Sequence, residues 1–246
     1  MTSGNRFSGK THLEATASGH GRVYQVAQGQ MHIHNADPAK QLEFMPLAQS
    51  VDVLANMDPA DAASTLSTMS PISAAKRLEA MYADGGATIF ARLSERLISE
   101  LLQLISPSLL SHLTAETEPE KIGAALALLK IRPAAVVKIL SGVHEPEKVL
   151  ASAPPEAAVR WMISAGMPQG AVWFDKMTQQ PAAALLSNMP VNFAAPLIQH
   201  VTHRRAAGIL AAMKKSKRSA LLAVISRRNA AAIAQEWPKG KGGLIK

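Results

Sequence analysis

Prolines recur at short intervals through most of this chain, and small or apolar residues follow them at fixed offsets. Ala62, Ala63 and Leu66 follow Pro59, and apolar residues stand at the same offsets after other prolines, namely Pro71, Pro133, Pro146, Pro155 and Pro190. Proline suits the first helical position, where its missing N–H has no partner to lose. Because offsets of three, four and seven fall on one helix face, the pattern predicts a series of short helices, each with one apolar stripe.

The chain divides into three parts: residues 1–36 are a tail rich in Gly, Ser and His, residues 37–237 are helical, and residues 238–246 are a short basic tail. The predicted fold class is all-α, a right-angled superhelical stack of short proline-initiated helices, with a disordered or β-prone N-terminal tail. Such short helices are unstable alone in water, so each must pack on its neighbours. Residues 87–105 are predicted as one amphipathic run, and helices are also predicted to start after Pro107, Pro119, Pro168 and Pro181.

The composition supports a helical core and limits the location of the protein. The chain is 48% hydrophobic but only 4% aromatic, so its core consists of small aliphatic side chains, which favour packed helices over sheets. It has no cysteine, which excludes disulfides and thiolate metal sites and fits a reducing cytoplasm. No stretch is long and apolar enough to span a bilayer. We therefore expect a cytoplasmic location.

The segments Leu54-Ala-Asn-Met-Asp-Pro-Ala-Asp-Ala-Ala-Ser-Thr-Leu66 and Met69-Ser-Pro-Ile-Ser-Ala-Ala-Lys-Arg-Leu78 carry a family resemblance. They resemble the intracellular N-terminal domain of MgtE-type magnesium transporters, in which the pattern L-x-x-M-D-P-x-x-A-A-x-x-L recurs along a stack of short helices. They are also similar to the helical repeats of the flagellar motor switch protein FliG. The resemblance covers about 51–235, and it implies this fold and, as one alternative function, a stand-alone magnesium-sensing domain.

Two aspartates are candidate magnesium ligands by analogy with that family. Asp58 directly precedes Pro59, where it is expected to cap a helix, and Asp61 falls near the positive end of the same helix. Magnesium prefers one or two carboxylates and several waters in octahedral geometry, and the sequence assembles no third carboxylate here. Capping is the favoured interpretation, so no metal site and no cofactor are predicted.

The sequence contains no convincing catalytic site. Residues 4–11 match the phosphate-binding pattern G-x4-G-K-[ST], but that loop requires a buried strand before it and a helix after it, and neither is predicted. His32 and His34 share a face if their segment is a strand, yet a structural zinc site needs four ligands. We therefore expect a protein that is not an enzyme.

A short β-prone segment stands out in the N-terminal tail. Residues 19–34 weakly resemble amyloid-type signalling motifs such as the RHIM group, with Val23, Tyr24, Gln25 and Val26 as candidate interaction residues. Stacked identical strands would pair their backbones and align their glutamines. The motif predicts homotypic assembly through the tail; the alternative is a flexible tail with a few apolar residues.

Positive charge is concentrated at the C-terminal end. Residues 200–246 hold eleven Lys and Arg against the single acid Glu236, although the whole chain carries a net charge of +8. The candidate interaction residues are Arg204, Arg205, Lys214, Lys215, Lys217, Arg218, Arg227 and Arg228. Clustered bases bind phosphates or anionic surfaces, but a solvated cap on a helical stack has the same composition.

Three functions follow from these features. The first is a non-enzymatic scaffold that binds a protein partner of unknown identity and is recruited or assembled through its tail. The second is a binder of nucleic acid or of an anionic surface that acts through the basic C-terminal helices. The third is the magnesium sensor that the family resemblance implies.

Overall fold

The computed structural model describes residues 38–82 and 85–238. These residues form sixteen α-helices and no strand. The helices are α1 Pro38–Phe44, α2 Leu47–Ala55, α3 Pro59–Thr68, α4 Pro71–Ala80, α5 Gly86–Arg92, α6 Glu95–Leu101, α7 Pro107–Leu113, α8 Pro119–Leu128, α9 Pro133–Leu140, α10 Pro146–Ser152, α11 Pro155–Lys176, α12 Gln179–Asn188, α13 Val191–His200, α14 His203–Ala212, α15 Lys215–Leu222 and α16 Arg227–Gln235. The predicted all-α fold class is confirmed.

The helices form two rows. Each even-numbered helix packs on the next even-numbered helix, and each odd-numbered helix on the next odd-numbered one, from α1 to α16. Buried Ala, Leu, Ile, Val and Met side chains fill the space between the helices as one continuous core. Every helix therefore completes its apolar surroundings with close neighbours in the chain, which is the organisation of a helical-repeat stack.

Proline begins the helices as the sequence predicts. Pro59, Pro71, Pro107, Pro119 and Pro133 each occupy the first turn of their helix, and the same holds for α10 and α11. Side-chain caps reinforce some of these starts. The Asp58 carboxylate accepts the N–H of Ala60 at 2.8 Å, so Asp58 caps α3 as expected.

Two predicted helix boundaries were wrong. The run 87–105 is two helices, α5 and α6, because Leu93 is extended and the Ser94 hydroxyl caps α6 by accepting the N–H of Leu97 at 3.3 Å. Pro181 is not a helix start, since α12 already begins at Gln179.

The predicted start at Pro168 coincides with a sharp bend inside α11. Gly166 has φ 70° and ψ 177°, a conformation outside the helical region, so α11 consists of two helical halves. Pro168 lies in the first turn of the second half. Only glycine adopts this backbone conformation without strain, which explains why the bend falls at Gly166.

Candidate interaction surface at the basic end

The last three helices, α14–α16, carry the basic residues that the sequence singles out. We call the surface formed by their exposed Lys and Arg side chains the basic end; it consists of Arg204, Lys214, Lys215, Lys217, Arg227 and Arg228. Each of these six side chains is exposed, and none makes an ion pair or hydrogen bond with any described residue. Their charges are therefore available to a ligand.

Arg205 does not belong to this surface, although it follows Arg204 directly. Its guanidinium donates hydrogen bonds to the backbone carbonyl of Phe174, at 2.9 Å, and to that of Met177. Its Nε lies 3.4 Å from the carboxylate of Asp175. All three partners lie at the C-terminal end of α11, where free carbonyls attract a cation. Arg205 thus joins α14 to α11 and has a structural role.

Arg218 is also partly engaged. Its guanidinium lies 5.2 Å from the centre of the Trp237 ring, which is a cation–π contact. Trp237 is the only Phe, Tyr or Trp residue from α14 to the end of the chain. Because Arg218 lies against one face of this ring, the basic end offers little aromatic surface on which a nucleic-acid base would stack.

The basic end is divided into two clusters. α14 leads through Met213 and Lys214 into α15, and Trp237, just after α16, contacts Arg218 in α15. The C-terminal ends of α14 and α16 therefore both lie beside the start of α15. α14 and α16 also pack on each other. We therefore group Arg204, Arg227 and Arg228, at the starts of these two helices, as one cluster, and the three lysines at the start of α15 as the other.

Each of these bases lies in the first turn of its helix or directly before it. That position is electrostatically unfavourable, because free N–H groups give a helix start a partial positive charge. Five helices elsewhere in the stack, α3, α6, α8, α10 and α11, follow the usual preference and carry an acid in the first turn, namely Asp61, Glu95, Glu120, Glu147 and Glu156. The helices α14, α15 and α16 have no acid there. The basic end therefore combines side-chain cations with three helix starts.

The sequence did not reveal an open cavity of about 170 Å³ between the end of α7 and the starts of α8 and α10. Glu116, Glu118, Glu145 and Lys148 line it, together with Thr117, whose buried hydroxyl has no hydrogen-bond partner among the described residues. Lys148 Nζ lies 2.6 Å from the Glu145 carboxylate, and this hydrogen bond lowers the pKa of Glu145. The carboxylates stand at or before helix starts, which is where they stabilise helices.

The remaining questions from the sequence concern the motifs of the N-terminal tail, a metal site and a membrane span. Val23, Tyr24, Gln25 and Val26, with the histidines and the phosphate-loop pattern of the tail, lie outside the described residues, so homotypic assembly stays a prediction. Within the described ranges, no group of three or more His, Asp or Glu side chains is arranged to hold a metal ion. None of the described helices is long and apolar enough to cross a membrane.

The fold and this surface define a helical-repeat protein with a basic end. Residues 22–115 match the model of a protein family described as the MgtE intracellular N domain. The family resemblance expected from the sequence is thereby confirmed for that part of the chain, which includes α1–α7. The match begins at residue 22, inside the segment predicted as a tail. No curated protein and no solved structure gives a significant match, and nothing in the comparisons supports the amyloid-motif resemblance of residues 19–34.

Proposed function

We propose that this chain is a non-enzymatic regulatory scaffold that binds a protein partner, and that acidic side chains of the partner contact the basic end. The matched family is a regulatory helical domain of magnesium transporters rather than a catalytic family. A cytoplasmic location, as expected for an intracellular domain, belongs to the same proposal.

The observation that carries this proposal is the placement of six unpaired cations at the starts of three consecutive helices. Each cation opposes the local helix dipole, so it costs stability where it stands. No carboxylate of the described residues compensates it. An external anionic group would be attracted both by the side chains and by the free N–H groups of the helix starts, so the arrangement favours an anionic partner.

Nucleic acid is the second candidate, because phosphates would satisfy the same cations. Arg218 already lies against one face of the Trp237 ring, so such binding would depend mainly on the phosphate backbone. It would then weaken steeply between low and physiological salt. A protein partner adds apolar and hydrogen-bonding contacts that salt affects little, and salt dependence therefore separates the two candidates.

The test uses two variants with the same change in net charge. Arg227→Glu/Arg228→Glu reverses the charge of two of the three arginines in one cluster of the basic end, whereas Lys130→Glu/Arg132→Glu alters two exposed bases elsewhere in the stack. Proteins retained from the source cell by the immobilised wild type and both variants are compared at physiological salt. We expect a protein that wild type and control retain and the basic-end variant loses.

Equal retention by all three proteins would contradict a role for the basic end. A labelled 20-base-pair duplex, about twenty base pairs being enough for several phosphate contacts, is titrated in parallel by fluorescence anisotropy. Tight duplex binding at physiological salt that only the basic-end variant loses would replace the protein partner with nucleic acid.

A further inference from the structure

The two ends of the helical stack differ in the side chains that they expose to solvent. Repeat stacks need polar outer faces on their terminal units, because the last helices have neighbours on one side only. The α14–α16 end meets this need with charged side chains. At the other end, Phe44 is 90% exposed, Ile72 is 59% exposed and Leu47 is 44% exposed.

These three residues belong to one region, which we call the apolar patch. The Glu43 carboxylate accepts the N–H of Ser70 at 2.7 Å, which brings the end of α1 to the start of α4. Phe44 is adjacent to Glu43, and Ile72 comes two residues after Ser70. Leu47 begins α2, three residues after Phe44. Exposed large apolar groups that gather in this way mark a surface that another segment or molecule covers.

The fold itself does not require apolar residues at these positions. The same link recurs 36 residues later, where the Glu79 carboxylate accepts the N–H of Ser106 at 2.9 Å. At the positions equivalent to Phe44 and Ile72, this second unit has Ala80 and Ser108. Of the two units joined by this link, only the first therefore carries large apolar side chains at these positions.

A segment of the same chain is suited to cover the apolar patch. The family match begins at residue 22, so sixteen residues that the family model counts within the domain precede α1. They include five apolar side chains, namely Val23, Tyr24, Val26, Met31 and Ile33. Sixteen residues can span up to about 50 Å, whereas the seven residues of α1 measure about 10 Å. The segment easily reaches Phe44.

We propose that residues 22–37 pack on the apolar patch of their own chain and so close the first end of the stack. The patch then loses its contact with water, and the family domain is complete from residue 22 onward. This assignment is independent of the basic end. It gives Val23, Tyr24 and Val26 an intramolecular role in place of homotypic assembly.

A double-mutant cycle in the full-length chain tests the proposal. Phe44→Ser and Tyr24→Ser are made singly and together, and the unfolding equilibrium constant is measured by urea titration. We expect each single change to raise this constant by about tenfold or more, since burial of an aromatic ring is worth at least that factor. We expect the unfolding constant of the double variant to rise by much less than the product of the two single increases, because both changes remove the same contact.

Val224→Ser is the matched control, because Val224 is 58% exposed between α15 and α16. It should leave the unfolding constant nearly unchanged and combine additively with Tyr24→Ser. If Phe44→Ser behaves like Val224→Ser, Phe44 is uncovered and the proposal is wrong. Additivity of Phe44→Ser with Tyr24→Ser would equally contradict it.

Crosslinking distinguishes packing within one chain from packing between chains. The chain has no cysteine, so Tyr24→Cys can be paired with Phe44→Cys or, as a control, with Val224→Cys. A short bismaleimide should crosslink the Tyr24→Cys and Phe44→Cys pair within one chain, at a yield independent of protein concentration. The control pair should remain uncrosslinked. Crosslinked dimers whose yield rises with concentration, or equal yields for both pairs, would overturn the proposal.

Discussion

The carboxylate of Glu43 accepts a hydrogen bond from the backbone N–H of Ser70 at 2.7 Å, and this bond ties the end of α1 to the start of α4. Glu79 and Ser106 repeat the contact between α4 and α7. Both pairs are 27 residues apart. A carboxylate at the end of one helix thus supports the start of the helix three places later, and the unit that repeats here contains three helices.

The Glu43 contact predicts an acid-sensitive contribution to stability. Hydrogen bonds from Ser70, first its N–H and then its hydroxyl, lower the pKa of Glu43. A carboxyl with a lowered pKa in the folded state stabilises the protein above its ordinary pKa and loses this contribution as pH falls through the lowered value. Urea unfolding between about pH 6 and about pH 3 should show a smaller acid loss for Glu43→Gln than for wild type. Identical acid dependence would contradict this role of Glu43.

Arg204 and Arg205 are predicted to respond differently to the same substitution. Arg205→Ala removes the donor to the carbonyls of Phe174 and Met177 and should lower the free energy of unfolding by about 1–3 kcal/mol. Arg204→Ala removes an exposed, unpaired side chain and should change it by less than about 0.5 kcal/mol. Chemical denaturation of both variants is the measurement. Equal effects would mean that the ends of α11 and α14 are not joined in solution.

The bend in α11 depends on Gly166. Gly166→Ala places a Cβ on a backbone with φ 70° and ψ 177°, and we expect a loss of about 1–3 kcal/mol in the free energy of unfolding. Gly170→Ala is the control, because an added Cβ there meets the nearest Met162 atoms at 3.5 Å, an ordinary contact distance. Glycine is unfavourable inside a helix, so the control should be neutral or slightly stabilising. Thermal unfolding is the measurement. If Gly166→Ala and Gly170→Ala change the melting temperature equally, the bend at Gly166 is contradicted.

We predict that Arg227 and Arg228 lower the stability of the fold but are needed to bind the partner. Arg227→Glu/Arg228→Glu replaces cations with anions in the first turn of α16, and each change should raise the free energy of unfolding by about 0.3–1 kcal/mol. The same variant should lose the retained partner. A variant that is less stable than wild type would show that these arginines support the fold, and its loss of binding would then say nothing about the basic end.

The sequence predicts the fold well because proline marks most helix starts with one local signal. It misses the division between α5 and α6, where no proline stands and Ser94 alone caps the second helix. The sequence also cannot show that Arg205 is structural whereas Arg204 is exposed and unpaired. The hydrogen-bond acceptors of Arg205 lie at the end of α11, about thirty residues earlier in the chain. The cavity beside Thr117 has no sequence signal at all, because it forms where two distant helix starts meet.

The two-row packing has a consequence for local opening of the structure. α16 packs on α14 alone within its row, and Ile233 is its only buried residue, while Leu221 is the only one in α15. Amide hydrogens of these helices should therefore exchange with solvent faster than those of α8, which has neighbours on both sides. An anionic partner that binds the basic end would slow this exchange, so the least protected helices of the stack would be the ones that report its occupancy.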